Sequence, residues 1–146
     1  MALIVTGPHD TAARPDDVAA AQVVRTVAAF GVAKVGILRL TESLACELAG
    51  TGARVFAMHP GFVRTPMTEG LARGDQGRAW LPDFGPGAQQ RWGDARAAAD
   101  LVEAIAGGAA DDLAGRLLRA GDDLRALAVR CRADPDYRRL RLNWAG

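Results

Sequence analysis

Apolar positions follow two rhythms along this chain of 146 residues. Residues 2–6, Ala-Leu-Ile-Val-Thr, form a short unbroken apolar run closed by Gly7-Pro8. A short run rich in branched side chains and stopped by Gly-Pro predicts a buried strand. Residues 8–17 read as a loop, and Asp16 or Asp17 is placed to cap the next element. From about Val18 to Ala49 the spacing changes to three and four. Val23, Val27, Phe30, Ile37, Thr41, Leu44 and Leu48 then share one face of a long helix. Gly50-Thr51-Gly52 ends it. Gly31 and Gly36 each cost about 1 kcal/mol relative to Ala inside a helix, which predicts a close approach to the backbone there.

Arg54 to His59 reads as a second strand, with Val55-Phe56-Ala57-Met58 apolar without alternation, as in a strand covered on both faces of a parallel sheet, and Pro60-Gly61 stops it. Strand, helix and strand make a βαβ unit with an expected right-handed crossover. Residues 73–93 contain five Gly and two Pro and predict a long, lid-like loop. Asp94 caps a helix to about Ala106, which Gly107-Gly108 closes. A third strand is expected near Gly115–Ala120, then a helix from Asp122-Asp123 to about Arg132, then an extended tail over 135–146. The pattern is that of a single α/β domain with a short parallel sheet and flanking helices.

Hydrophobic residues make up 49% and charged residues 24%, the balance of a globular chain and not a disordered one. A net charge of +1 supplies no global field toward nucleic acid or anionic lipid. Arg125, Arg130, Arg132, Arg138, Arg139 and Arg141 cluster near the end, but Asp134 and Asp136 interrupt them. That mixture reads as a solvated, salt-bridged face and not as a nucleic-acid site. Arg25, Lys34, Arg39, Glu42 and Glu47 break the stretch from Val18 to Leu48, so no membrane span is expected there. Cys46 and Cys131 match no paired or metal-ligating spacing. Two reduced thiols, no metal site and a cytoplasmic location are expected, and Met1–Val5 lacks the basic leader of a secretory signal.

Lys34 is the informative side chain. All of the other basic residues are Arg, so a single Lys points to a position that needs a point charge and not a planar fork. It follows Phe30 by one turn on an otherwise apolar face. An ammonium there is costly unless it reaches water or a partner. The alternative is a Lys that snorkels at the edge of the stripe.

Three segments carry a resemblance. Phe30-Gly31-Val32-Ala33-Lys34 is followed by Leu40-Thr41-Glu42-Ser43-Leu44-Ala45-Cys46-Glu47-Leu48. Next comes Gly52-Ala53-Arg54-Val55-Phe56-Ala57-Met58-His59-Pro60-Gly61-Phe62-Val63-Arg64-Thr65-Pro66-Met67. The likeness continues through Gly115-Arg116 and Asp122-Asp123-Leu124 to Leu140-Arg141-Leu142. The order and spacing resemble the C-terminal part of the short-chain dehydrogenases/reductases over roughly residues 28–142. The resemblance implies one partial Rossmann-like domain, an NAD or NADP cofactor and a small alcohol or carbonyl substrate. In that family a Tyr-x-x-x-Lys pair sits on the long helix. The Lys holds the nicotinamide ribose and lowers the pKa of the Tyr, which exchanges a proton with the substrate oxygen. Lys34 matches the Lys, whereas Phe30 occupies the Tyr position and has no proton to give. Losing such a group costs roughly 10²- to 10⁴-fold in rate.

By the same resemblance, Pro60-Gly61, the backbone near Val63 and the hydroxyl of Thr65 contact the nicotinamide. The alternative for Thr65 is a cap of a short helix over Met67–Leu71, and the wider match favours the cofactor contact. His59 reads as a strand-end residue. The family's catalytic Ser lies upstream of the Tyr position; Ser43, the single Ser, lies downstream, which leaves Thr6 as a weak stand-in. Thr6-Gly7 could begin the family's glycine-rich phosphate turn, but Thr11 and Ala13 replace its later glycines. Residues 2–6 are therefore either the strand before the long helix or a remnant of the family's first strand. Two functions are implied: an oxidoreductase of impaired activity, or a non-catalytic module that dimerises through the helix over residues 18–49.

Overall fold

A computed structural model describes residues 2–5, 28–74 and 92–141, with residues 2–5 and 28–30 placed by their backbone. Among the described residues the elements run β1 (Ala2–Val5), α1 (Ala28–Glu47), β2 (Val55–His59), α2 (Pro66–Arg73), α3 (Ala95–Ala106), β3 (Leu117–Arg119) and α4 (Leu124–Ala133). A 3-10 turn at Asp111–Leu113 separates α3 from β3. Thr6, residues 18–27 of the expected helix, most of the lid-like loop and residues 142–146 lie outside the described residues.

The sheet has the order β1-β2-β3 and every pairing is parallel. Ala2 faces Val55 and Val5 faces Met58, while Met58 faces Leu118 across the other edge. β2 is therefore central, and all five of its residues are buried. That burial is why its sequence does not alternate. Successive residues point to opposite faces. Ala57 and Leu117 meet Leu38 of α1, with Leu140 packed against them. Phe56, Met58 and Leu118 meet Leu101 and Ile105 of α3 and Leu127 and Cys131 of α4. Helices thus flank both faces, the α/β arrangement expected of a partial Rossmann-like sheet. No described helix is long and apolar enough to cross a membrane.

The helix starts follow their caps. The Asp94 carboxylate accepts from Arg96 N at 2.8 Å, and Asp123 accepts from Arg125 N and Ala126 N at 3.0 Å each. Side-chain oxygens at these positions satisfy amides that the helix leaves unpaired. Asp122 is not the cap; it turns back to accept from Arg119 N at 2.7 Å.

Several expectations need correction. β3 covers three residues and not the six from Gly115 to Ala120. Gly115 N still donates to Val55 O at 2.8 Å and Ala120 N to His59 O at 2.9 Å, but the left-handed Gly115 (φ +79°) and the turn after Arg119 bend the chain away. Gly31 and Gly36 do not mark close approaches: nothing described lies within 4 Å of a Cβ built at either.

The stretch after Asp134 is not extended. It turns, because Tyr137 N donates to Asp134 O at 3.1 Å and Asp136 N to Asp134 Oδ1 at 3.0 Å. Arg138 then adopts φ +64°. This segment folds back as a clasp. Arg116 Nη1 donates to Pro135 O at 3.0 Å and also to Tyr137 O. Leu117 N donates to Arg138 O at 3.3 Å, and Arg138 Nη2 reaches Asp122 Oδ1 at 3.0 Å. Leu140 N donates to Glu42 Oε1 on α1 at 2.6 Å. Burial pushes the Arg116 guanidinium below its ordinary pKa and the Cys131 thiol above its own, the first by loss of hydration of a cation and the second of a thiolate. The remaining tail arginines mostly pair locally: Arg132 with Asp112 at 3.4 Å, Arg141 with Asp136, and Arg130 over the Tyr137 ring at 4.0 Å.

Candidate functional site

β2 ends at His59 and gives way to Pro60-Gly61 at the carboxyl edge of the sheet, where open α/β sheets take their ligands. His59 is buried and its Nδ1 accepts from Gly61 N at 3.1 Å, so its role here is to shape the bend. Gly61 has φ +84°, a conformation that L side chains rarely adopt, with the Ala120 Cβ 3.9 Å from where its own would stand. The turn after β3 is thereby seated against the turn after β2. Phe62 is buried against Leu71, Ala72 and Trp92, which fixes the path of the next residues. Gly93 N donates to Phe62 O at 2.8 Å and Val63 bridges Gly93 in parallel, so this segment is held from the far side as well.

Thr65 caps α2. Its Oγ1 accepts from Thr68 N at 3.2 Å, while Thr65 N donates to Thr68 Oγ1 at 2.8 Å. Thr68 is buried, and its hydroxyl also lies 3.0 Å from Val63 O and 3.0 Å from Thr65 O. The cap and a ligand contact are compatible. A hydroxyl has one donor and two acceptor sites, and the cap uses an acceptor site of Thr65. Its proton remains for Thr68 Oγ1, 3.1 Å away, or for an incoming carbonyl. Thr68 is the residue that sequence reasoning misses. Its spacing of three from Thr65, a variant of the capping box, is the available signal.

Arg64 and Glu69 form an ion pair, and Arg73 approaches the second Glu69 oxygen at 3.4 Å. The hydrogen bond from Arg64 holds the Glu69 carboxyl below its ordinary pKa. The Arg64 guanidinium also lies 5.4 Å from the centroid of the Trp92 ring.

Lys34 sits half-buried on α1, four residues after Phe30 and four before Leu38. Leu38 packs on Ala57 in the middle of β2. A helix joining two parallel strands runs antiparallel to them. Lys34 is therefore displaced one turn from that contact in the direction in which β2 runs out into Pro60-Gly61. The backbone of Phe30 is one turn further along. Ser43 is exposed on α1, and Tyr137 packs on the core under Arg130. A neighbouring cleft of about 230 Å3 lies between α3 and the turn after β3, with Asp100 and Asp122 on its walls. Asp122 is already committed to Arg119 N and Arg138.

The family described as enoyl-(acyl carrier protein) reductase matches residues 16–118, a span from before α1 into β3. The chain belongs to the short-chain dehydrogenase/reductase family. Similar curated proteins agree. Oxidoreductase UcpA of Salmonella typhimurium is 53% identical over 45 residues, covering 31% of this chain and 17% of that protein. An uncharacterized oxidoreductase of Staphylococcus epidermidis is 46% identical over 52 residues, 36% of this chain and 23% of its own. Trans-4-hydroxycyclohexanecarboxylate dehydrogenase of Sinomonas cyclohexanicum is 49% identical over 47 residues, 32% of this chain and 18% of its own. The matched segments thus span less than a quarter of each of these relatives. No solved structure matches the chain significantly. Dehydrogenases of this family use NAD(P). Among the described residues, the Gly61 bend, the backbone near Val63 and the Thr65 hydroxyl would offer polar contacts to the nicotinamide end of such a cofactor. No described loop offers a row of glycine amides for its phosphates.

Proposed function

We propose that this chain carries the nicotinamide side of an NAD(P)-dependent alcohol or carbonyl oxidoreductase, located in the cytoplasm, whose proton-transfer step is impaired. The observation that carries this is the pairing, on one continuous α1, of Lys34 with Phe30 one turn away. Lys34 would hold the ribose by its point charge, and Pro60, Gly61, Val63 and Thr65 would hold the carboxamide. The bound nicotinamide supplies hydride chemistry. A phenyl ring at residue 30 moves no proton, and Thr6 is the remaining hydroxyl candidate near the end of β1. β1 pairs in parallel register with β2, which supports its being the strand before the long helix; in a doubly wound sheet of order 3-2-1-4-5-6 the first strand is not beside the late ones.

Titrating NADH and NADPH against the full chain, read by cofactor fluorescence, tests the cofactor. Weak, saturable binding without turnover is expected. No binding at millimolar cofactor ends the cofactor reading. Phe30→Tyr is expected to leave turnover undetectable, because no described loop offers glycine amides to the cofactor phosphates; measurable turnover from that single change would show the impairment to be confined to one ring.

A second reading, dimerisation through the helix over residues 18–49, is favoured by the outer side of α1. Val32 (74% exposed), Gly36 and Leu40 (51% exposed) recur every four residues on one face, with open space at Gly36. An apolar stripe with a small central residue suits a helix-to-helix contact with a second copy. Sedimentation should show a dimer that Leu40→Glu converts to monomer. A strictly monomeric wild-type profile would rule this out.

A further inference from the structure

We propose that Arg64 is the residue that recognises an oxyanion, carboxylate or phosphate, carried by the substrate of this site. The inference rests on the nicotinamide reading above for where the anion sits, but not for whether it binds. An exposed arginine is ordinarily a loose side chain, and holding it still sacrifices rotamer entropy. Arg64 is 65% exposed, yet two contacts fix it. Its plane rests near the Trp92 ring, 5.4 Å from the centroid, within the range of cation–π attraction. Its Nε is taken by Glu69 Oε1.

Both supports are themselves anchored. Trp92 packs on buried Phe62, and the adjoining Gly93 N donates to Phe62 O at 2.8 Å. Glu69 is carried by α2 and kept ionised by Arg64, with Arg73 adding a second positive charge. With Nε pinned and the side chain largely exposed, no described residue accepts from the edge formed by Nη1 and Nη2. That edge is the half of the guanidinium fork that matches two oxygens of one anion. The three side chains Arg64, Glu69 and Arg73 carry a net single positive charge, so an anion is attracted and not refused.

Among the first four residues of α2, Met67 alone keeps an amide with no described acceptor. Pro66 has no N–H, Thr68 N is taken by Thr65 Oγ1, and Glu69 N donates to Thr65 O at 2.9 Å. Arg64 stands between Val63 and Thr65, the positions assigned to the nicotinamide carboxamide. An anion held there lies beside the segment assigned to the carboxamide, which is why the substrate and not the cofactor phosphates is proposed to carry it.

Benzoate, phenyl phosphate and benzyl alcohol titrated into the 15N-labelled full chain test this, read at the Trp92 indole and the amides of residues 63–65. Benzoate or phenyl phosphate is expected to shift them and saturate, and benzyl alcohol to leave them in place. Which of the two anions binds more tightly identifies the group. Arg64→Gln should weaken the anion by about tenfold or more, with the NADH titration unchanged. Arg64→Lys should fail similarly, since an ammonium keeps the charge and loses the fork. Anions that leave Trp92 unmoved, or that bind Arg64→Gln as well as the wild type, would overturn the proposal. Anion binding that survives a failed NADH titration would instead overturn the nicotinamide reading alone.

Discussion

Gly115→Ala should lower the unfolding free energy by roughly 2–4 kcal/mol, the combined cost of a left-handed Cβ and of overpacking a tight contact. Gly115 has φ +79°, and a Cβ there would stand 2.9 Å from the Ala45 Cβ and 3.9 Å from the Glu42 Cα. Real Cβ atoms do not come that close, so α1 has to lift or β3 has to shift. Neither gives way freely. Gly115 N is tied to Val55 O at 2.8 Å, and Glu42 is tied to Leu140 N at 2.6 Å. Gly121 is the control: its φ is +87° but nothing lies within 4 Å of its Cβ position. Gly121→Ala should lose the backbone part alone, about 1–2 kcal/mol. Urea titrations of the two variants measure the difference. Equal losses would mean that α1 is not seated on Gly115.

Arg116→Met should cost about 2–3 kcal/mol, because it leaves the carbonyls of Pro135 and Tyr137 without their donor. Arg116 is only 7% exposed, and its guanidinium is given to main-chain oxygens and not to a carboxylate. Methionine fills much of the stem volume, so the loss isolates the hydrogen bonds. The release has a chemical readout. Cys131 is buried beneath this segment, with its Sγ 4.0 Å from Tyr137 O, whereas Cys46 is exposed. A thiol reagent should titrate one fast cysteine in the wild type and two in the variant. A variant with the wild-type thiol count and stability would show that Arg116 does not fasten the clasp.

Both variants concern contacts that local pattern could not predict. The central strand, the caps at Asp94 and Asp123 and the α/β class follow from neighbours in sequence, because apolar periodicity and side-chain caps act over a few residues. The clasp does not. Leu140 meets Glu42 across 98 residues and Arg116 meets Tyr137 across 21, and nothing in either segment's own spacing signals the other. An Arg-rich stretch after Asp134 therefore looks extended in sequence, although its turns and ion pairs close it on the sheet. The site divides in the same way. The Pro60–Thr65 bend is legible from the family motif. The seating of Arg64 on Trp92 is not, since Trp92 arrives from a different part of the chain and only tertiary packing brings the ring under the guanidinium.

The parallel pairing of all three strands has a consequence for how the chain assembles. Two antiparallel strands can zip from a tight hairpin, but β1 and β2 can meet only after the whole crossover between them has been laid in place. Until then Val-Phe-Ala-Met-His is a naked sticky segment, available to any passing edge. Newly made molecules of this protein should accordingly clump most during the interval before α1 docks, and co-expression with a hydrophobic-binding chaperone should raise soluble yield more than lowering the salt does.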